Sequence, residues 1–311
     1  MTFSKPRAPQ RHAPGVAVTR RLGEAASPRR PQVQPRPVTL ATPDLAPTMH
    51  AEGVPVPPSR KGRDVDGNCA LTLGERAEEA WSDGATSFTD DGIDVVVTRL
   101  AAGPDTVRAS AGLLSDAERR RATRFAFDRD ARRFIVARAR LRQLLAARLG
   151  ERPESVELVY GAHGKPALAG RFADSDLRFN VSHRDEVAVY AFSSGRAIGI
   201  DVEAVRAVPH ADTIAAHLFS DRENAAYRAL DPRDRPLGFF HCWTRKEAFV
   251  KALGDGLFHP LDRFDVSLAP GEPAAILRVE DTPGDRCGWR LESLSPAPGF
   301  VGAVVVSCGR R

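Results

Sequence analysis

The stretch FHCWTRKEAFVKALGDGL, residues 240–257, predicts the helix around which the rest of the chain is arranged. It contains no proline and runs into a glycine-containing turn, which is typical of a helix end. Glu247 and Lys251 are four residues apart and share one helical face with Phe240 and Trp243. Such a pair is ordinarily a solvated ion pair, but the aromatic neighbours predict that this pair is partly buried.

A second acidic pair lies upstream in AIGIDVE, residues 197–203. Apolar and polar residues alternate there, which predicts a strand with Asp201 and Glu203 on one face. Two neighbouring carboxylates repel each other unless water or a cation lies between them. The polar face of an edge strand and a metal site explain the pair equally well. Together with Glu247, however, they provide three carboxylates, the oxygen ligands that Mg²⁺ prefers.

Two further motifs precede these residues. In GKP, residues 164–166, a glycine lets the backbone approach a ligand and Lys165 can act as a point charge on a phosphate. The motif FNVSH, residues 179–183, ends a predicted strand with Ser182 beside His183, a position suited to ligand contacts. Taken alone, a polar turn and a structural histidine would explain these two motifs as well.

Four motifs therefore occur in order: GKP at 164–166, FNVSH at 179–183, GIDVE at 199–203, and WTRKE at 243–247 with Lys251 behind it. In this order they resemble the Sfp-type 4'-phosphopantetheinyl transferases, and the resemblance covers roughly residues 93–311. It implies an α+β fold in which two similar α/β halves form an intramolecular pseudo-dimer, with the active site in the cleft between the halves.

The resemblance also implies a reaction. Enzymes of this family transfer the phosphopantetheine arm of coenzyme A to a serine of an apo acyl or peptidyl carrier protein and release adenosine 3',5'-bisphosphate. The implied Mg²⁺ ligands are Asp201, Glu203 and Glu247. Glu247 is also the implied general base, directly or through water, and Lys251 would neutralise charge on the leaving group.

The residues implied to bind coenzyme A belong to the motifs and to two arginine-bearing helices that precede them. They are Arg121, Arg133, Gly164, Lys165, Pro166, Asn180, Ser182, His183, Lys246 and Lys251. Glu118 stands in the first of these helices, where some family members have a lysine.

Charge divides the chain into two parts. Residues 1–64 carry 11 Lys and Arg against 4 Asp and Glu, and they hold 12 of the 24 prolines. This segment therefore accounts for the positive net charge, and its composition predicts disorder. We expect a disordered extension over residues 1–90, an N-terminal half over 91–195, and a C-terminal half over 196–311 that carries the metal site.

Periodicity and turn residues predict the remaining elements. Strands are expected at 93–100, 156–160, 177–183, 187–192, 264–268, 275–279, 289–293 and 300–306. Helices are expected at 115–125, from Asp128 to Gly150, at 209–218 and at 221–230, with capping boxes at Ser115 and Ser220. A short helix near 73–81 is the most that residues 65–90 would form.

The composition also bears on location and partners. The four cysteines show no metal-binding spacing, the N-terminal residues lack the apolar core of a signal peptide, and no apolar run approaches membrane-spanning length. We expect a cytoplasmic monomer without a membrane partner. Because residues 65–311 are slightly acidic, nucleic acid is not an expected partner.

Two other functions are compatible with these residues. A Mg²⁺-dependent nuclease also uses acidic pairs and a lysine, but such sites usually place Glu-x-Lys on a strand, whereas Glu247 and Lys251 have helical spacing. A non-catalytic relative that binds carrier proteins is the second alternative. Plasmid cleavage would favour the first, and failure to bind coenzyme A would favour the second.

Overall fold

The computed structural model describes residues 85–90, 92–161, 164–254, 260–280 and 288–309. The tail predicted to be disordered and the short helix near 73–81 lie outside these residues. The last six residues of the expected extension do not fit the prediction, because residues 85–90 form a strand that pairs with the next one.

The described elements alternate between strands and helices. The strands are β1 (Ala85–Asp90), β2 (Ile93–Arg99), β3 (Leu158–Tyr160), β4 (Pro166–Leu168), β5 (Leu177–Arg184), β6 (Val187–Ser194), β7 (Ile198–Ala204), β8 (Phe264–Val266), β9 (Ile276–Val279), β10 (Trp289–Leu294) and β11 (Phe300–Ser307). The helices are α1 (Pro104–Gly112), α2 (Asp116–Ala122), α3 (Asp128–Leu149), α4 (Ala211–Leu218), α5 (Asp221–Ala229) and α6 (Arg235–Leu253). The predicted mixture of helices and strands is confirmed.

The first sheet is antiparallel and has the strand order β1-β2-β6-β5. Its central strands are buried on both faces, which explains their continuous apolar sequences. One face packs against α3 through side chains such as Leu141 and Leu145, which lie at helical spacing. The helix ends at Gly150, whose positive φ of 69° suits a glycine.

The second sheet has the order β10-β11-β7, again with antiparallel neighbours. The two sheets share an apolar core, to which β2 and β6 contribute from one side and β7 and β11 from the other. The outer face of the second sheet packs against α6, which lies in a separate core with α4 and α5. The order of layers is therefore helix, sheet, sheet, helix.

Three further elements differ from the sequence prediction. Helix α1 was not predicted, since none of its residues is buried and an apolar period is absent. Helix α6 begins at Arg235 rather than near 240, with Pro236 in its first turn, where a proline needs no amide hydrogen bond. Residues 166–168 form β4, which pairs with β3 in a short hairpin. Both predicted capping boxes are confirmed.

Gly199 brings β7 and α6 into close contact. A Cβ atom at this position would overlap the carbonyl oxygen of Ala248 and the amide nitrogen of Ala252, both in the helix backbone. Only a residue without a side chain therefore allows α6 to lie this close to the strand. The approach places the face that carries Glu247 beside the polar face of β7.

We predict that Gly199→Ala lowers the free energy of unfolding by about 3 kcal/mol, because the backbone of one element must shift away from the other. Gly112→Ala is the matched control, since a Cβ there meets no atom within 4 Å. Chemical denaturation would measure both variants. Equal stability of Gly199→Ala and the wild-type protein would contradict the close approach.

No helix among the described residues is both long enough and apolar enough to cross a membrane.

Candidate active site

The site forms where β7 and α6 meet. Asp201 and Glu203 lie two residues apart on β7, and Glu247 and Lys251 lie four residues apart on α6. Because of these spacings, the pair on β7 lies on the strand face that faces α6, and the pair on α6 lies on the helix face that faces β7. The structure therefore brings together the two pairs that the sequence singled out.

Lys251 and Ser182 hold one oxygen of Asp201. The ammonium of Lys251 donates to Asp201 Oδ1 at 2.6 Å, and the hydroxyl of Ser182 donates to the same oxygen at 2.8 Å. Lys251 Nζ also lies 3.3 Å from Ser182 Oγ. Desolvation acts to lower the pKa of Lys251, but the negative charges of Asp201 and Glu247 outweigh it and raise the pKa. The lysine is therefore kept charged.

The remaining carboxylate oxygens of Asp201, Glu203 and Glu247 carry more negative charge than the surrounding protein groups neutralise. Asp201 Oδ2 and Glu247 Oε1 are buried without a hydrogen-bond partner. Burial, and then the charge of Asp201, raises the pKa of Glu203 to about 7. Burial and the same aspartate raise the pKa of Glu247 to about 7. Buried carboxylate oxygens without donors are unfavourable unless a cation or a ligand binds there.

The arrangement of the carboxylates bears on whether they could hold Mg²⁺. Among the described residues, no three His, Cys, Asp or Glu side chains are close enough together to form a ready metal site. Lys251 holds Asp201, and Arg184 lies with its Nε 3.3 Å from Glu203 Oε2. The donor chemistry nevertheless fits a hard cation, since the two unpartnered oxygens belong to two of the predicted ligands.

Two of the arginines predicted to bind coenzyme A lie on α2 and α3. Arg121 lies on α2 with its guanidinium 5.4 Å from the centre of the Phe134 ring. Arg133 on α3 has long ion pairs, of 3.7 to 3.8 Å, to three carboxylates, two of them in the turn between β5 and β6. His183 lies at the end of β5, beside this turn.

The charges of these cations affect the pKa of His183. Surrounding protein atoms displace water from the His183 ring, and this desolvation lowers its pKa. The charges of Lys251, Arg138, Arg121 and Arg133 lower the pKa further. The predicted coenzyme A residues Arg121, Arg133 and His183 therefore share one positive region.

Lys246 does not belong to this region, and its predicted phosphate contact is wrong in this structure. Its side chain is fully buried, and its ammonium lies 2.7 Å from Glu223 Oε2. It also donates to the carbonyl oxygens of Leu261 and Phe264, at 2.6 and 2.7 Å. All three donors of the ammonium are thus used inside the core of the C-terminal half.

Asn180 and Lys165 also have structural partners. The carboxamide oxygen of Asn180 accepts the amide of Ile200 at 2.9 Å, so this buried side chain joins β5 to β7. The ammonium of Lys165 donates to the carbonyl oxygens of Ile198 and Lys251, the latter in the last turn of α6. Both side chains therefore have partners within the protein, and their predicted contacts to coenzyme A stay predictions.

The turn that carries Lys165 also contains Gly164 and Pro166, two other residues predicted to bind coenzyme A. Gly164 has a positive φ of 76°, and a Cβ would meet nothing within 4 Å, so glycine serves the turn conformation here. Pro166 is buried at the start of β4. Desolvation, and then the charge of Lys251, lowers the pKa of Lys165 to about 8.

Two arginines with structural or site contacts were not predicted from the sequence. Arg184 lies on the same face of β5 as Asn180 and Ser182, and the alternation of that strand could have revealed it. Arg142 forms a buried ion pair of 2.7 Å with Glu118, which explains why an acidic residue stands there. A partner 24 residues away cannot be recognised from local spacing.

Comparisons with known proteins cover both parts of the site. A family model described as the 4'-phosphopantetheinyl transferase superfamily matches residues 197–305, and one described as 4'-phosphopantetheinyl transferase, N-terminal, matches residues 103–195. These two ranges contain every residue of the predicted site.

Three curated relatives show the extent of the similarity. The 4'-phosphopantetheinyl transferase HetI of Nostoc sp. is 39% identical over 197 residues, which are 63% of this chain and 80% of HetI. A 4'-phosphopantetheinyl transferase of Bacillus subtilis is 33% identical over 54% of this chain and 72% of its own length. The 4'-phosphopantetheinyl transferase Sfp of Bacillus subtilis strain 168 is 28% identical over 61% and 81%, respectively.

Proposed function

Because the chain belongs to the 4'-phosphopantetheinyl transferase superfamily, we propose that it transfers the phosphopantetheine arm of coenzyme A to a serine of an apo acyl or peptidyl carrier protein. The proposed transfer depends on Mg²⁺ and releases adenosine 3',5'-bisphosphate. The observation that carries the proposal is the meeting of Asp201 and Glu203 with Glu247 and Lys251, beside a region of positive charge.

Asp201, Glu203 and Glu247 are the residues that would hold the metal ion. The unpartnered oxygens of Asp201 and Glu247 support this assignment, as do the raised pKa values of Glu203 and Glu247. When bound, Mg²⁺ would neutralise negative charge on the pyrophosphate of coenzyme A.

The chain's own residues support the chemistry of the transfer. The carrier serine oxygen forms a bond to the pyrophosphate phosphorus nearest the pantetheine, and the bond from that phosphorus to the bridging oxygen breaks. Glu247 accepts the serine proton, directly or through water. Lys251, held by Asp201 and Ser182, places a positive charge where the leaving bisphosphate takes up the electron pair.

The remaining residues orient coenzyme A. Arg121 and Arg133 present positive charge, and His183 presents a ring N–H donor, to the phosphates of the nucleotide end. Binding at this distance from the reacting phosphorus would fix its position relative to Glu247. Ser182 contributes indirectly, because its hydroxyl holds Asp201 and lies near Lys251.

The proposed pseudo-dimer is supported by the arrangement of layers. In each half a long helix, α3 or α6, packs on the outer face of an antiparallel sheet, and the two sheets share a core. The coenzyme A arginines lie in one half and the carboxylates in the other. Such an arrangement allows a single chain to complete the site as a monomer.

We predict that His183→Ala raises the Kd for coenzyme A by about tenfold, because a hydrogen bond to a phosphate is lost. The value of kcat at saturating coenzyme A should change much less. Calorimetric titration gives the Kd, and steady-state kinetics give KM and kcat. An unchanged affinity for coenzyme A would remove His183 from the nucleotide site.

The products distinguish this function from the alternative of a metal-dependent nuclease. A transferase should consume coenzyme A and release an equal amount of adenosine 3',5'-bisphosphate, only when an apo carrier protein and Mg²⁺ are both present. Chromatography of the nucleotides would measure this. Cleavage of plasmid DNA with Mg²⁺, in the absence of any coenzyme A turnover, would instead support the nuclease.

A further inference from the structure

Arg184 is the last residue of β5, next to the turn that leads into β6. Ser182, two residues earlier on the same face of the strand, donates to Asp201 on β7. In the same way, Arg184 places its Nε 3.3 Å from Glu203 Oε2 on β7. Each of the two carboxylates on β7 therefore has its own partner on β5.

The cations beside these two carboxylates differ in how well they are aligned. Lys251 Nζ donates a hydrogen bond of 2.6 Å to Asp201 Oδ1. Arg184 Nε is instead buried without a hydrogen-bond partner, although it lies within ion-pair distance of Glu203. A poorly aligned N–H keeps the attraction between the charges but gains little hydrogen-bond energy. The contact between Arg184 and Glu203 is therefore the more easily replaced of the two.

A second carboxylate lies within reach of the same guanidinium. Asp185 follows Arg184 in the turn, and its Oδ2 lies 4.0 Å from Arg184 Nε. The side chains of Arg184 and Asp185 are 26% and 49% exposed, so water reaches both of them. Rotation of the Arg184 side chain would bring the guanidinium from Glu203 to Asp185 without a shift of the backbone.

The predicted metal ligands have to rearrange before they can share one ion. Within the part of the chain that the structure describes, no three His, Cys, Asp or Glu side chains form a ready metal site. The guanidinium beside Glu203 has the same sign of charge as a metal ion and repels one that approaches. A cation that binds to Glu203 must therefore share this carboxylate with Arg184 or replace Arg184.

We propose that Arg184 competes with the divalent cation for Glu203, and that its guanidinium moves toward Asp185 when the cation binds. This inference rests on the metal site of the proposed function. Arg184 touches no reacting atom and is a positioning residue. It holds Glu203 in the absence of a cation, and it lowers the affinity of the site for one.

Binding of Mn²⁺ to the full-length protein, without coenzyme A or carrier protein, tests the competition. Mn²⁺ shares the preference of Mg²⁺ for oxygen ligands, and electron paramagnetic resonance measures the free ion. We expect Arg184→Gln to lower the Kd for Mn²⁺ about tenfold, because a like charge beside the site is removed. Arg108→Gln, at an arginine of α1 that is 78% exposed, is the matched control and should leave the Kd unchanged.

The movement toward Asp185 has its own test. Asparagine tolerates the positive φ of 48° at this position, so Asp185→Asn preserves the turn. The variant removes the second carboxylate and should raise the Kd for Mn²⁺ about threefold when Arg184 is present, but much less in Arg184→Gln. An equal effect in both backgrounds would show that Asp185 acts only through its charge, which would overturn the movement.

Unfolding by denaturant distinguishes competition from a purely structural role. Arg184→Gln should unfold more easily than the wild-type protein in EDTA, where Glu203 lacks its cation, and the difference should shrink at saturating Mn²⁺. The same difference under both conditions would show a structural role and overturn the inference. Equal Kd values for Mn²⁺ in the two proteins would also overturn it, as would no detectable binding to either at millimolar Mn²⁺.

Carrier modification by the wild-type protein separates these failures from failure of the proposed function. If the wild-type protein transfers phosphopantetheine but the two Kd values for Mn²⁺ agree, the inference about Arg184 fails alone. If Arg184→Gln binds Mn²⁺ more tightly but the wild-type protein modifies no carrier, the competition stands and the proposed function fails.

Discussion

Asp201→Ala and Glu247→Ala are each expected to lose phosphopantetheine transfer by at least about a thousandfold, without loss of the fold. Both changes remove an oxygen donor from the proposed metal site. Glu247→Ala also removes the general base, and Asp201→Ala releases Lys251 from its 2.6 Å contact. Initial rates from the mass of the modified carrier protein, at saturating coenzyme A and Mg²⁺, would measure the loss.

The fold should survive these changes for a physical reason. Glu247 Oε1 and Asp201 Oδ2 have no hydrogen-bond partners, so removing these carboxylates relieves an unfavourable burial of charge. Lys251 is 28% exposed and can reach water when Asp201 is absent. Asp105→Ala, at an aspartate that is 95% exposed, is the matched control and should keep full activity. Near-normal turnover in either site variant would remove the metal assignment.

Lys246→Met is expected to lower the free energy of unfolding by about 3–5 kcal/mol, the range observed when one partner of a buried ion pair is removed. The change leaves the carboxylate of Glu223 buried without its ammonium, from which it lies at 2.7 Å. It also leaves the carbonyl oxygens of Leu261 and Phe264 without that donor. Denaturant unfolding, monitored by circular dichroism, would measure the loss.

This variant also tests the reassignment of Lys246 from a phosphate contact to a core residue. Arg108→Met removes an ion pair between side chains that are 78% and 95% exposed, and it should cost less than about 0.5 kcal/mol. The fraction of Lys246→Met that remains folded should bind coenzyme A with unchanged affinity. A stable variant with weak coenzyme A binding would show that the sequence prediction was right after all.

The sequence predicted the meeting of the two acidic elements because periodicity determines which residues share a face. Alternation placed Asp201 and Glu203 on one face of a strand, and a spacing of four placed Glu247 and Lys251 on one face of a helix. Gly199 lies in the same motif, and its close approach to α6 explains the distance between the two elements.

Burial of individual polar side chains could not be predicted in the same way. Lys246 is adjacent to Glu247 in sequence, but one residue rotates the side chain by about 100° around the helix, toward Glu223 and the core. Asn180 lies in a motif beside Ser182, yet its partner is a backbone amide of β7. In both residues the partner comes from a distant segment, which motif spacing does not reveal.

The burial of Arg138 could not be predicted from local sequence either. A charge run on a helix ordinarily means a solvated face, and Arg138 lies among other arginines of α3. Its burial follows from the positions of Phe134, one turn earlier, and of Tyr160, on a separate strand. Only the tertiary structure shows that this arginine, unlike Arg132, has a buried donor without a partner.

The mass of an intact apo carrier protein, measured after incubation with this protein and coenzyme A, tests the central claim most directly. Parallel samples would contain Mg²⁺ or EDTA, and acyl and peptidyl carriers would be tested separately. The account predicts a mass gain of one phosphopantetheine on at least one carrier with Mg²⁺ and no gain with EDTA. No gain on any carrier with Mg²⁺ would contradict the proposed transfer, and an equal gain in EDTA would contradict the role of the metal.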